Sequence, residues 1–170
     1  IEAKEFFNLN ASQIEVVMHP QSMLHALVGF QDGGLMAHIG PADMRHAIGF
    51  ALNYPNRSYL PVERLDLVKI GRFDFSAPDL VKYPALRLAY DVLELGGFSC
   101  AVYNAAKEIA LDAFIAQRIG FLDMATIVEA VLERVFVKSV SKENIFCLEN
   151  VLNMDHTGRI YAKEEIEKKF

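Results

Sequence analysis

The sequence is poor in cysteine, carries no surplus of positive charge and contains no long apolar run. Its two cysteines, Cys100 and Cys147, lack metal-site spacing and sit in apolar helical surroundings. They read as reduced core residues of a cytoplasmic protein. A net charge of −5 with no basic block argues against nucleic acid as a partner. No stretch approaches the ~18 apolar residues of a membrane span, and no signal peptide is visible, so no membrane association is expected. Also missing is a Gly-x-Gly-x-x-Gly turn after a strand, and with it the dinucleotide-binding fingerprint. Gly33-Gly34 and Gly96-Gly97 read instead as a hairpin turn and a helix stop. The chain opens at Ile1 without a Met, in what reads as the last turns of a helix over 1–7, which gives it the look of part of something longer.

With 170 residues and 52% hydrophobic content, the chain can bury one sizeable core or two small ones. The stretch from Ile14 to Leu52 organises it. Ile14 to Met18 is a short apolar run containing Val16 and Val17 and closed by Pro20, which predicts a strand. His25 to Phe30 and Leu35 to Ile39 predict two more, joined by Gln31-Asp32-Gly33-Gly34, where glycine accepts the positive φ of a tight turn. Pro41 suits the first turn of a following helix, Asp43 opposes its dipole, and Met44, Ile48 and Leu52 recur at spacing four.

From Asn53 to Pro84 the chain holds Pro55, Pro61, Pro78 and Pro84 among polar residues and aromatics, the composition of a long ordered connector. Beyond it the pattern is helical. Pro84 opens a helix with Leu88, Ala89, Val92 and Leu93 on one face and Gly96-Gly97 as its stop. A second runs from about Asn104, with Ile109, Ala110, Ala113 and Phe114 inward and Gly120 as its stop. Asp123 caps a third, striped by Ile127, Val128, Val131, Leu132 and Val135. Ser141 caps a fourth, with Ile145, Leu148, Val151 and Leu152 inward, and a charged helix from about Arg159 to Phe170 closes the chain. Short connections predict antiparallel neighbours. The expected fold is α+β: a partial α/β catalytic domain with a short sheet over 1–52, a connector over 53–83, and a four-helix-bundle-like domain over 84–170.

Three blocks, HPQSMLHALVGFQDGG, GPADMRHAIGFAL and NAAKEIALDAFIAQRIGFLDMATIVEAVLE, resemble the 1-deoxy-D-xylulose-5-phosphate reductoisomerase family in order and spacing, over essentially the whole chain. The resemblance implies an NADPH-dependent enzyme of non-mevalonate isoprenoid biosynthesis. Such an enzyme has an N-terminal dinucleotide-binding domain, a central catalytic domain whose strands build a homodimer interface, a connector and a C-terminal helical domain. This chain matches the last three in part. The family's metal ligands, an Asp-x-Glu pair and a later Glu, and its phosphate-holding Ser, Asn and Lys would all lie upstream of Ile1. NADPH and Mg2+ or Mn2+ are therefore expected in the full-length enzyme, none is expected on this chain alone, and no metal ligand is placed here.

What remains are supporting residues. His19, in HPQS, resembles a family histidine near the active site, where it would orient a carboxylate ligand or a substrate oxygen; the alternative is that it fixes the Pro20-Gln21-Ser22 turn. Met44, in PADMR, resembles a methionine beside the cofactor and substrate pocket, the alternative being core packing. Gln21 and Ser22 belong to the same turn and are counted with the pocket, though a structural role fits them as well. Arg45 pairs with a carboxylate across the site or across a dimer interface. His19, His25, His38 and His46 fall close together in sequence, but their spacing forms no tight ligand pair, and on strands His25 and His38 could face either side. His46-Ala47 replaces the family's usual Thr-Pro, and Lys107 its usual Asn. Three functional classes follow: the C-terminal portion of a reductoisomerase, inactive alone; a self-standing dimerisation or scaffold module; and, more weakly, an independent metalloenzyme using the histidines.

Overall fold

The computed structural model describes residues 1–136 and 147–169. The elements are α1 (Glu2–Phe7), a 3₁₀ turn (Ala11–Gln13), β1 (Leu24–Gly29), β2 (Leu35–Ile39), α2 (Arg45–Asn53), α3 (Leu67–Ile70), α4 (Pro84–Leu95), α5 (Ser99–Ile115), α6 (Asp123–Phe136) and α7 (Leu148–Lys169). They form a mostly helical α+β chain that divides into two compact units, 1–15 with 79–170, and 16–78.

In the helical unit, Pro84 takes the first position of α4, where its missing N–H has no partner to lose, and Leu88, Val92 and Leu93 turn inward. Gly96 and Gly97, at φ +66° and +57°, end the helix as expected. α5 then starts at Ser99, earlier than the sequence pattern indicated. The reason is the Ser99 hydroxyl. Fully buried, it donates within reach of the Val92 and Gly96 carbonyls, at 2.7 and 2.6 Å, so the end of α4 is satisfied by the start of α5. α5 ends at Ile115, well before Gly120, whose N–H donates to Asp123 Oδ2 at 2.7 Å and belongs to the entry of α6. α6 buries Ile127, Val128, Val131, Leu132 and Val135, the stripe read from the sequence.

The two last expected helices are one. α7 runs unbroken through Gly158, and its inward face is Gly158, Ala162 and Ile166 at spacing four. Leu148 and Leu152, expected inward, are 73% and 58% exposed. The proposed cap Ser141, and Ile145, lie outside the described residues. Gly158 is a contact point: a β-carbon there would stand 3.2 Å from both the Ala105 β-carbon and the Val102 carbonyl oxygen, so α7 lies directly on α5. Arg159 reinforces this crossing, donating to Glu108 Oε2 at 2.6 Å and to Asp155 Oδ2 at 2.7 Å. Of the cysteines, Cys100 is half-buried and its thiol pKa is raised by that burial, whereas Cys147 is exposed and is no core residue.

The other unit is built on one antiparallel hairpin. β1 and β2 pair Leu27 with Ala37, Val28 with Met36 and Gly29 with Leu35, with an irregularity between Leu24 and Ala26. The turn closes as its residues predict: Gly33 sits at φ +85° and the Gly34 N–H donates to Asp32 Oδ1 at 2.9 Å. The third expected strand, Ile14–Met18, does not form. The Ile14 carbonyl is taken by the Tyr90 hydroxyl at 3.2 Å, and only Met18 makes an isolated bridge, exchanging both backbone bonds with Ser76. α2 begins at Arg45 and not at Pro41, because Asp43 forms a turn of its own, taking the Arg45 N–H on its carboxylate and the His46 N–H on its carbonyl. Within the connector, Asp66 caps the short α3 through the Val68 and Lys69 N–H groups.

Replacing Gly158 with Val should lower stability by about 1–3 kcal/mol through overpacking at the α5–α7 contact. Denaturant unfolding measures this; an unchanged midpoint would mean that the two helices have room to part.

Candidate functional site

Two neighbourhoods in the 16–78 unit gather the polar residues singled out in the sequence. The first is the turn after Met18. His19 Nδ1 lies 2.9 Å from the Asp74 carbonyl oxygen. A carbonyl only accepts, so Nδ1 carries the proton and Nε2 holds the lone pair. The ring is clamped by Phe75, stacked at 4.9 Å, and by the edge of Phe73 at 5.7 Å. Its Nε2 is buried and has no partner. Gln21 ties the same turn to the same residue, donating from Nε2 to Asp74 Oδ2 at 2.6 Å and accepting the Asp74 N–H at 3.3 Å. The turn delivers Ser22 at φ +52°, a backbone state that non-glycine residues rarely adopt.

The second neighbourhood is a cleft of about 350 Å³ lined by Ser22, His25, His38, Asp43, Met44 and His46, with Pro41, Ala42 and Ala47. Ser22 and Met44 therefore come together, while His19 and Gln21 lie outside the lining and hold the turn that carries Ser22. Met44 is 71% exposed, so it is no core residue. The three histidines surround Gly40. A β-carbon on Gly40 would lie 3.8 Å from His38 Cε1, 3.8 Å from His46 Cδ2 and 3.9 Å from His25 Nε2. His25 Nε2 donates to the Gly40 and Pro41 carbonyls at 3.1 and 3.2 Å, which leaves Nδ1 as its accepting nitrogen. The His25 and His38 rings stand 5.6 Å apart.

Sequence reasoning left the side of His25 and His38 undecided. Strict alternation sets successive side chains on opposite faces, and the irregularity between Leu24 and Ala26 disturbs that alternation next to His25. No residue in the stretch announces it; the only available signal was the crowding of histidines along the chain.

Arg45 pairs within its own turn. Its Nε lies 3.0 and 2.9 Å from the two Asp43 oxygens, and these hydrogen bonds, with that from the Arg45 N–H, lower the carboxyl pKa from 3.8 to about 2. Among the described residues no group of three or more His, Cys, Asp or Glu side chains is placed to hold a metal ion. The one carboxylate of the cleft is committed to Arg45, and His25 Nε2 is committed to carbonyls. A hard divalent cation needs several oxygen ligands, and these residues do not supply them.

The hairpin, α2 and the turn at Ser22 thus define a cleft, carried by an α+β chain whose other unit is helical. A family model described as the DXP reductoisomerase C-terminal domain matches residues 39–161. The chain is 52% identical over 168 residues to the 1-deoxy-D-xylulose 5-phosphate reductoisomerase of Jannaschia sp. (strain CCS1), covering 99% of this chain and 43% of that protein. It is 57% identical over 164 residues to that of Cereibacter sphaeroides (strain ATCC 17029 / ATH 2.4.9), covering 96% and 42%. Among solved structures, the reductoisomerase from Zymomonas mobilis in complex with NADPH superposes with a TM-score of 0.85 at 41% identity, over 98% of this chain and 43% of that one. A DOX-P reductoisomerase in complex with NADPH, fosmidomycin and magnesium gives 0.90 at 39% identity, over 98% and 42%. The chain belongs to the 1-deoxy-D-xylulose 5-phosphate reductoisomerase family, and it spans less than half the length of the relatives it matches.

Because the folded pKa of Asp43 lies below its ordinary value, the Asp43–Arg45 pair stabilises the turn fully above pH 3.8, and the contribution is lost as pH falls towards 2. A carboxyl titration followed by NMR should find the Asp43 midpoint near 2, and Arg45→Gln should move it up towards 3.8. A midpoint already near 3.8 in the unaltered chain would show the pair to be open in solution.

Proposed function

We propose that this chain is the C-terminal portion of an NADPH-dependent enzyme that converts 1-deoxy-D-xylulose 5-phosphate to 2-C-methyl-D-erythritol 4-phosphate in non-mevalonate isoprenoid biosynthesis. The observation that carries this reading is the 52–57% identity, over nearly the whole chain, to proteins of that name. In this reading residues 1–52 complete an α/β catalytic domain, 53–83 are the connector, and 84–170 form a four-helix-bundle-like domain. The enzyme is cytoplasmic and a homodimer, and the isolated chain is inactive.

Each cleft residue has a part in it. Met44 offers an exposed, polarizable thioether on which a flat apolar ring can rest, which suits the nicotinamide end of the cofactor. The Ser22 hydroxyl and His25 Nδ1 present a donor and an acceptor to substrate oxygens. His19 and Gln21 act one step removed. By fastening the turn to Asp74 they hold Ser22 in its left-handed conformation, and the buried, unpartnered His19 Nε2 is ready to accept from a group the rest of the enzyme brings to it. NADPH, when bound, supplies the hydride. Mg2+ or Mn2+ takes its carboxylate ligands elsewhere in the enzyme, since this cleft does not fit it, and no step is assigned to the metal here.

A second reading, a dimerisation module without catalysis, draws on the exposed hairpin. Leu27, Val28, Leu35 and Met36 are 42–71% exposed on a sheet of two strands, and such a sheet gains from an added neighbour.

NADPH oxidation with 1-deoxy-D-xylulose 5-phosphate and magnesium separates the two. The reductoisomerase reading expects turnover by the complete enzyme and none by residues 1–170 alone. In the complete enzyme, Ser22→Ala and Met44→Ala should each reduce kcat/KM by about tenfold or more, the worth of one lost contact of ~1.4 kcal/mol. A complete protein that dimerises but neither binds NADPH nor turns over would leave the module reading standing.

A further inference from the structure

A second cleft, of about 360 Å³, lies between α2 and the chain at 57–65. Its chemistry is set by two arginines. Elsewhere Arg45, Arg72, Arg87, Arg134 and Arg159 are each held by a carboxylate, and Arg118 alone is not, among the described residues. Arg57 and Arg64 both line this cleft, and neither forms an ion pair among the described residues. Arg57 is fixed all the same: its guanidinium carbon lies 4.4 Å above the centre of the Phe50 ring, a stacking that leaves the N–H edges of the fork available. His46 also lines the cleft, and its Nε2 is buried without a partner. Ile39, Leu60, Val62 and Leu65 form the apolar part of the wall, with Ser58 and Tyr59 beside them, and Leu60 is pressed against Gly49 so closely that a β-carbon on the glycine would stand 2.5 Å from it. Glu63 is the one carboxylate in the lining, so two positive charges face one negative.

Unneutralised guanidinium forks beside an apolar wall suit a ligand that carries oxyanion charge at one end and hydrocarbon at the other. Planar N–H pairs match phosphate oxygens two at a time. We propose that this cleft binds an organic phosphate, its phosphate group held by Arg57 and Arg64 and its apolar body lying along the Leu60 side. The arginines stand apart from the reaction proposed above, since neither lines the cleft that holds Met44 and Ser22, although Pro41 and His46 border both clefts.

The test is calorimetric titration of the full chain with phenyl phosphate, inorganic phosphate and phenol, backed by ³¹P line broadening. Saturable binding of phenyl phosphate, tighter than inorganic phosphate and absent for phenol, is expected. Both arginines are exposed, so Arg57→Gln and Arg64→Gln should leave the fold intact while each weakens phenyl phosphate about tenfold; Arg64→Lys should weaken it less, because it keeps the charge and loses only the fork. No saturable binding, or equal affinity in the unaltered chain and the double Gln variant, would overturn the site. Equal affinity for inorganic and phenyl phosphate would overturn the organic part of the assignment. If circular dichroism finds a Gln variant unfolded, broadening of the phenyl phosphate ³¹P line by the unaltered chain, undiminished by excess phenol but removed by inorganic pyrophosphate, supports the site, and its absence overturns it.

Discussion

The helical unit rests on the near-absence of side chain along one face of α5. Ala105, Ala106, Ala110 and Ala113 are buried there with Val102, and Gly158 of α7 meets them with no β-carbon at all. Close backbone approach brings many weak dispersion contacts into range and lets α5 touch α4, α6 and α7 at once. The larger side chains are left to α6, whose valines and isoleucine fill the space that the alanines open. The ion pairs of Arg159 and Arg87 cross between helices at the surface, where they fix register more than they add stability.

The 16–78 unit works by a different rule. Within it only Gly40 and Gly49 are buried, so apolar burial cannot be what holds its turns. Aspartates do that work: Asp32 in the hairpin, Asp43 before α2 and Asp66 before α3 each take one or more hydrogen bonds from their own turn, and Asp74 takes one from the distant Gln21. This is a scaffold of short polar knots. It leaves Met44, Ser22, His25 and His38 presented instead of packed, which is the condition a binding cleft requires.

How much of this was legible depended on whether a signal was local. Pro84, the glycine pair after Leu95 and the stripe of α6 are local statements of helix start, stop and face, and they were readable. The continuity of α7 was missed, because the charged run from Arg159 read as a separate helix and the alanine face of α5 on which Gly158 rests is distant in sequence. Ile14–Met18 looked like a strand by composition, yet a strand needs a partner, and the Ile14 carbonyl is claimed by Tyr90, distant in sequence. At the cleft, Ser22 and Met44 were picked out only through family resemblance. His25 and His38 were noticed but could not be placed, since the hairpin irregularity beside His25 has no signature in the residues themselves.

The central claim is that Met44, Ser22 and His25 line a working part of a reductoisomerase active site. The most direct test is the ε-methyl NMR signal of Met44 in the complete enzyme, assigned by Met44→Leu and followed as NADPH is added. The account predicts that this signal shifts and saturates with the same midpoint as cofactor binding measured independently. A Met44 signal that stays fixed while the enzyme binds NADPH would contradict it and place the cofactor elsewhere.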